Sequence, residues 1–213
     1  MKITKYGHCC LLIEIDGRRV LTDPGKFSAG HEALTELDVI LITHEHADHL
    51  HTASLKTVLQ HNPQAVVLGN ESVSQLLTAA ELPHEVIADG DVKTIKELTL
   101  EAFEGPHVEI IGEYGLVQNT GFLVGERFFY PGDAYTVPKR PVDVLALPVA
   151  GPWCKLSEAI NYALTVAPRV AIPVHDATLS EFGKAVTYPH GERELEAAGI
   201  NFTVIKDGES AEL

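Results

Sequence analysis

Two apolar-rich runs separated by a turn signal open the chain. Cys10-Leu-Leu-Ile-Glu-Ile15 and Arg18-Arg-Val-Leu-Thr22 flank Asp16-Gly17, and two β-rich runs joined by Asp-Gly predict a hairpin. The apolar run Val39–Thr43 stops abruptly at a group of histidines, as a buried strand ending in a loop does. Leu55, Val58 and Leu59 recur at helical spacing, so Thr52–His61 reads as a helix, with Pro63 just beyond its end. Ala65–Leu68 reads as a strand and Glu71–Ala80 as a helix capped by Asn70.

Further along, Leu98–Phe103, Gly121–Val124 and Arg127–Tyr130 read as strands, with Gly125-Glu126 as the tight turn between the last two. Val142–Val149 reads as another buried strand and Arg169–Val174 as a strand, with the helix Leu156–Thr165, N-capped by Ser157, between them. A last helix, Glu192–Ala198, and strand, Phe202–Ile205, follow. Strands fall in two clusters with helices interspersed in both, which points to two mixed sheets packed face to face with helices outside. No short repeat, low-complexity segment or Pro/Ser-rich linker interrupts the 213 residues, which read as one domain, 1–213.

Composition narrows the partners. Thirty acidic residues against 16 Lys and Arg give a net charge of -14, which repels polyanions and argues against a nucleic-acid surface. A small anionic substrate stays compatible, because a bound cation inverts the local sign. The three cysteines, Cys9, Cys10 and Cys154, make an odd set rather than a disulfide framework, which points to a reducing compartment. Glu14, Asp16, Arg18 and Arg19 break any signal-like apolar run near the start, and no stretch approaches the roughly 18 apolar residues of a membrane span. The expectation is a cytoplasmic protein with no membrane partner.

The chemistry concentrates in Thr43-His44-Glu45-His46-Ala47-Asp48-His49. Three imidazoles and a carboxylate in so short a span repel or desolvate one another unless a cation organises them. His44 and His46, one residue apart, point to the same side of an extended segment and can share one metal. Asp48 and His49 lie on the following loop, displaced enough to serve a second. Such ligands suit zinc, iron, manganese or nickel. In a chain of this composition the pattern arises by chance about once in 700 sequences; a solvated polar loop is the bland alternative.

His-x-His-x-Asp-His at the end of a strand resembles the hallmark of the metallo-β-lactamase superfamily. That family implies a later histidine, then an aspartate and a last histidine, each following a strand. His107, Asp133 in Tyr130-Pro-Gly-Asp133, and His175 in Ile172-Pro-Val-His175 arrive in that order. Gly7-His8 and Leu21-Thr-Asp23-Pro24, together with the closing Phe202–Glu209 segment, resemble the small metal-dependent hydrolases of this superfamily, including relatives of ascorbate-phosphate lactonase. The resemblance implies an α/β (α+β) four-layer αββα sandwich, the metallo-β-lactamase fold. It implies two divalent metal ions, zinc by default, with His44, His46 and His107 on the first and Asp48, His49 and His175 on the second. Asp133 would bridge them, Asp48 would also act catalytically on the nucleophile, and Asp23 would buttress the histidine loop. The implied reaction is hydrolysis of a small ester, lactone or phosphodiester. Iron-dependent redox chemistry and non-catalytic metal binding are the rival readings.

Other residues have weaker claims. His8 stands at a turn the resemblance places near the metals, and packing against the loop is its alternative role. Trp153 and Cys154 follow a strand and could line the pocket, though Trp153 also suits plain packing. Lys26 and Lys155 could meet an anionic substrate or sit solvated. His190 reads as a loop residue and Glu45 as pointing away from the metals. His31, His51, His61 and His84 read as surface residues, and Cys9-Cys10 as strand packing with no metal role.

Overall fold

The computed structural model describes residues 1–112, 114 and 116–213. In chain order its first strands are β1 (Lys2–Lys5), β2 (Leu11–Ile15), β3 (Arg18–Thr22), β4 (Val39–Leu41), β5 (Val66–Gly69) and β6 (Glu85–Val86). Then come β7 (Val92–Ile95), β8 (Leu98–Pro106), β9 (Gln118–Val124), β10 (Phe128–Tyr130), β11 (Val144–Pro148), β12 (Val170–Val174), β13 (Asn201–Phe202) and β14 (Ser210–Glu212). The helices are α1 (Thr52–His61), α2 (Glu71–Ala79), α3 (Leu156–Val166) and α4 (Glu181–Glu196).

Among the described residues the strands form two seven-stranded sheets, ordered β14-β1-β2-β3-β4-β5-β6 and β13-β12-β11-β10-β9-β8-β7. Both are mixed. In the first, β14 through β3 pair antiparallel and β3 through β6 parallel. In the second, β13 through β10 pair parallel and β10 through β7 antiparallel. The hairpin predicted at Asp16-Gly17 is β2–β3, with Ile15 opposite Arg18.

Period-two alternation distributes the strands' side chains among three apolar layers. Ile13, Val20, Val39 and Leu41 face Phe122, Phe128, Val144 and Ile172 in the layer between the sheets. Their neighbours Leu12, Leu21 and Ile40 turn the other way, onto Leu55 and Val58 of α1 and Val73 and Leu77 of α2. Leu123, Phe129 and Leu145 likewise meet Ala159 and Tyr162 of α3 and Leu195 of α4. The result is the αββα sandwich that the sequence implied, the metallo-β-lactamase fold. No helix among the described residues is long and apolar enough to cross a membrane.

Several local expectations need correction. The last helix starts well before Glu192: α4 runs Glu181–Glu196 with Pro189 inside it, capped by Ser180, whose hydroxyl accepts from Gly183 N at 3.1 Å. Proline removes one helical donor and signals a break in sequence, yet the side chains packed beneath hold the helix through it. His190 therefore lies on an exposed helical turn rather than a loop. The Phe202–Ile205 strand shrinks to Asn201–Phe202, and α3 takes Lys155, not Ser157, as its N-cap, without a side-chain cap bond. His31 is fully buried, His51 and His84 are half-buried, and only His61 is exposed. The short edge strands escape the sequence reading because too few residues alternate to show a period.

Asn70 does cap α2, and it does more. Its Oδ1 accepts from Val73 N at 3.0 Å, while Nδ2 donates to Thr43 O at 3.0 Å and Gln118 O at 3.2 Å, joining the helix to both sheets just before His44. Asn70→Ser keeps a capping oxygen but loses both amide bonds, although Thr43 O retains its bond from Thr120 N at 2.9 Å, and is expected to cost about 1–3 kcal/mol. Asn70→Ala should cost about 1 kcal/mol more through the lost cap. Urea midpoints with an unchanged slope would measure both.

Candidate metal centre

The charged and imidazole side chains singled out in the sequence meet at one end of the sheets, where β4, β8, β10 and β12 deliver their C-terminal loops. Two close approaches of backbone make that meeting possible. A Cβ on Gly25 would stand 1.8 Å from Asp48 O, so only glycine lets the loop after β3 run beneath Asp48 and His49. Gly132 adopts φ 65°, and a Cβ there would strike Asn119 Oδ1 at 2.3 Å. That same Asn119 oxygen accepts from Asp133 N at 3.0 Å and fixes the aspartate that follows.

Two donor groups form within the cluster. In one, a ligand-capable atom from each of His44, His46, His107 and Asp133 lies within 4.8 Å of all the others; in the second the members are His8, Asp48, His49 and His175. Asp133 joins them. Its Oδ2 is 3.2 Å from His107 Nε2 and 3.0 Å from His175 Nε2, and its Oδ1 is 3.2 Å from His49 Nε2. His44 Nε2 and His46 Nδ1 stand 3.2 Å apart. Asp48 Oδ2 lies 3.6 Å from His175 Nε2. The structure therefore brings together all seven residues of the expected set: His44, His46, Asp48, His49, His107, Asp133 and His175. Glu45 belongs to neither group.

Fixed acceptors orient four of the rings from behind. Nδ1 of His44 donates to Thr43 Oγ1 at 2.9 Å, that of His49 to Asp23 Oδ2 at 2.6 Å, that of His107 to Val108 O at 2.6 Å and that of His175 to Ala150 O at 2.6 Å. With Nδ1 occupied, each ring presents Nε2 to the centre. His49 Nε2, His107 Nε2, His175 Nε2 and Asp133 Oδ1 are buried there without a hydrogen-bond partner. Buried polar atoms left unpaired cost free energy, and these four, spread over the two donor groups around Asp133, fit bound cations that would satisfy them. Imidazole nitrogens and carboxylate oxygens are the donors such metals take.

Electrostatics agree. Burial first, then neighbouring imidazoles, hold His44 and His46 below the ordinary histidine range, so both keep a free lone pair. Burial also works against charge on His49 and His175, but the Asp133 carboxylate outweighs it and raises both. Burial opposes ionisation of Asp133 as well, yet the His49 and His175 rings keep its carboxyl far below its usual value. Without a cation, protonated imidazoles carry the positive charge that the carboxylates demand, and a metal would displace those protons.

Behind the ligand-capable atoms lies a support layer that sequence reasoning caught only in part. Asp23, expected as a buttress, also accepts from Thr43 N at 2.8 Å, from Thr43 Oγ1 at 2.7 Å and from Tyr130 Oη. His8 is buried; its Nδ1 accepts from Ala177 N at 3.3 Å, so Nε2 carries the proton and donates to Asp48 Oδ2 at 3.2 Å. Its ring packs 4.1 Å from that of His175. His8 thus positions Asp48 rather than offering a lone pair. Cys9 packs in the core between the sheets as expected, and its sulfur also lies within 4.8 Å of ligand-capable atoms of both His49 and Asp133. Burial and the nearby carboxylates keep it a neutral thiol. Lys5 was missed altogether: it is buried, and its Nζ donates to Asp176 Oδ2 at 2.6 Å, directly after His175. A pairing across 171 positions leaves no local pattern to read.

Above the centre is a cavity of about 340 Å³ with His46, Asp48, His107, Asp133 and His175 in its floor and Trp153 in its wall. Lys26 reaches its rim, whereas Cys154 and Lys155 do not line it; Cys154 Sγ instead accepts from Tyr135 Oη at 3.4 Å. A larger cavity, about 460 Å³, lies beside Lys5, Asp176 and Tyr188; among the described residues its carboxylates do not cluster closely enough to hold a metal.

Two expectations follow from the support layer. Asp23→Asn cannot accept all four of those donors, and should weaken divalent-metal binding roughly ten- to a hundredfold in chelator competition. Burial alone would raise the Asp176 carboxyl, but the Lys5 ammonium outweighs it and holds it below the ordinary range. Its stabilising charge is therefore present above about pH 4 and is lost as pH falls through the depressed value. Lys5→Met strands that charge: stability should drop by about 3–5 kcal/mol at neutral pH, and the deficit should shrink as pH falls and Asp176 takes up a proton. Lys5→Met combined with Asp176→Leu should recover most of the loss.

Known proteins share this architecture. The family model of the β-lactamase superfamily domain matches residues 2–175. A Mycobacterium tuberculosis protein is 42% identical over 214 residues, with 97% of each chain covered. A Pyrococcus furiosus protein named as a UPF0173 metal-dependent hydrolase is 24% identical over 230 residues and covers both chains completely. Among solved structures, Igni18, a metallo hydrolase from Ignicoccus hospitalis, superposes with a TM-score of 0.77 at 19% identity, over 100% of this chain and 98% of that one. The match over most of its length, by sequence and by fold, makes this chain a member of the β-lactamase superfamily, in its branch of small metal-dependent hydrolases.

Proposed function

We propose that this protein is a dinuclear metal-dependent hydrolase acting on a small ester, lactone or phosphodiester. The observation that carries the reading is the set of unpaired buried atoms, His49 Nε2, His107 Nε2, His175 Nε2 and Asp133 Oδ1, converging while every ring's Nδ1 except that of His46 is held from behind. His44, His46 and His107 would hold one divalent ion; Asp48, His49 and His175 the other; Asp133 would bridge them. Zinc is the default, with manganese, nickel and iron as alternatives. When bound, the two cations supply an acidified water and polarise the substrate's oxygen.

The chain's own residues do the rest. Asp48 keeps one oxygen fixed by His8 and lies in the cavity floor, where its carboxylate can orient the attacking water and take its proton. Burial works against its ionisation, but the His8 hydrogen bond and the His49 ring keep it a carboxylate through the neutral range. Trp153, edge-on to both His107 and His175 at 5.6 and 5.3 Å, covers one side of the floor and keeps bulk water from it.

Elemental analysis of untagged protein tests the assignment. About two equivalents of zinc, manganese or nickel per chain are expected, with the content falling in Asp133→Ala. One equivalent of iron, unchanged by that substitution, would overturn the dinuclear reading and favour redox chemistry. Metal at full content with no turnover of any ester or phosphodiester would favour a binding protein.

A further inference from the structure

The wall of the same cavity narrows the substrate, on the footing of the hydrolase reading. Three separate loops build it, and each contributes large apolar groups: Phe27 after β3, Ile110 and Tyr114 between β8 and β9, and Trp153 before α3. Trp153 is 6% exposed and braced against two imidazoles of the floor. Phe27 and Tyr114 are 53% and 70% exposed, although large aromatics are ordinarily covered. Phe27 is braced too, edge-on to His8 with ring centroids 5.4 Å apart. An apolar rim continuous with a polar floor is the form of a small-molecule site that orients one reacting group and buries the remainder.

Fixed positive charge is scarce in that wall. Among the described lining residues, Lys26 is the one lysine or arginine. Phosphoryl groups are ordinarily gripped by several charged or backbone donors, and a chain of net charge -14 adds no general attraction. We propose that the substrate is a carboxylic ester or lactone bearing an apolar alkyl or aryl group, with its carbonyl over the floor and that group against Phe27, Tyr114 and Trp153. Water's oxygen bonds to the acyl carbon and the acyl C–O bond breaks. The proton taken by Asp48 passes to the departing alkoxide. The products are a carboxylic acid, which releases its proton to solvent, and an alcohol, joined in one hydroxy acid when the substrate is a lactone.

Trp153 is the chain's single tryptophan, so its fluorescence reports on this cavity. We would titrate the protein as purified with 2-alkylcyclopentanones, non-hydrolysable analogues of lactones, of increasing tail length. Each buried methylene should tighten binding about fourfold until the wall is filled. Phe27→Ser and Tyr114→Ser, both at exposed positions, should flatten that slope with the thermal midpoint as the folding control. In parallel, metal-loaded protein would be given a γ-lactone series, aryl esters and bis(p-nitrophenyl) phosphate. Turnover that rises with tail length on lactones or esters supports the proposal. No dependence on tail length in wild type, or preference for the phosphodiester, overturns it. A clear tail dependence in binding with no hydrolysis of anything would sink the hydrolase reading and leave an apolar ligand site.

Discussion

One buried carboxylate holds the architecture and the chemistry in register. Asp23 is wholly buried, and it accepts from Thr43 N, Thr43 Oγ1, His49 Nδ1 and Tyr130 Oη. Those donors come from the loop after β4 in one sheet and from β10 in the other. A buried charge is tolerable only when it is this fully hydrogen-bonded. The same four contacts lock the sheets together, bend the histidine loop over the strand ends and turn His49 toward the centre. Removing the carboxylate would disturb packing and ring orientation at once.

A comparable device ties β1 of the first sheet to the loop after β12 of the second. Lys5 and Asp176 form a buried pair beneath His175, with Tyr188 also donating to Asp176. Buried pairs seldom add net stability over a well-packed apolar substitute, so a role in fixing geometry is the better account of this one. It anchors β1 to the loop that carries His175, whose backbone sits at φ 59°. His175 N in turn donates to His8 O at 3.2 Å, and His8 reaches Asp48. Supports for the two donor groups thus run through both ends of the chain, and the seven donor residues rest on a frame of long-range polar contacts.

Much of the site was legible in the sequence, because its ligand types are rare and close together. His44, His46, Asp48 and His49 fall within six residues, and the remaining three follow strands whose apolar runs are visible. The helices α1 and α2 were legible through period and cap. Elements decided by distant partners were not. α4 contains a proline that local rules read as a stop, and the apolar contacts retaining it come from β13 and α3. His31 looked like a surface residue, since one histidine among polar neighbours carries no sign of what will cover it. Lys5 and Cys9 took their roles from groups far along the chain. Trp153 fell between the two readings offered for it, packing against imidazoles and lining the cavity as well.

The strand ends have a different consequence. The sheets terminate in β14, β6, β13 and β7, which span only three, two, two and four residues. Edges this short expose too few free amides and carbonyls to template another strand, and Glu212, Glu85 and Lys93 add charge along them. Strand addition is therefore disfavoured at these four edges of the described residues, which leaves side-chain surfaces, where shape and charge select the partner, as the better ground for association.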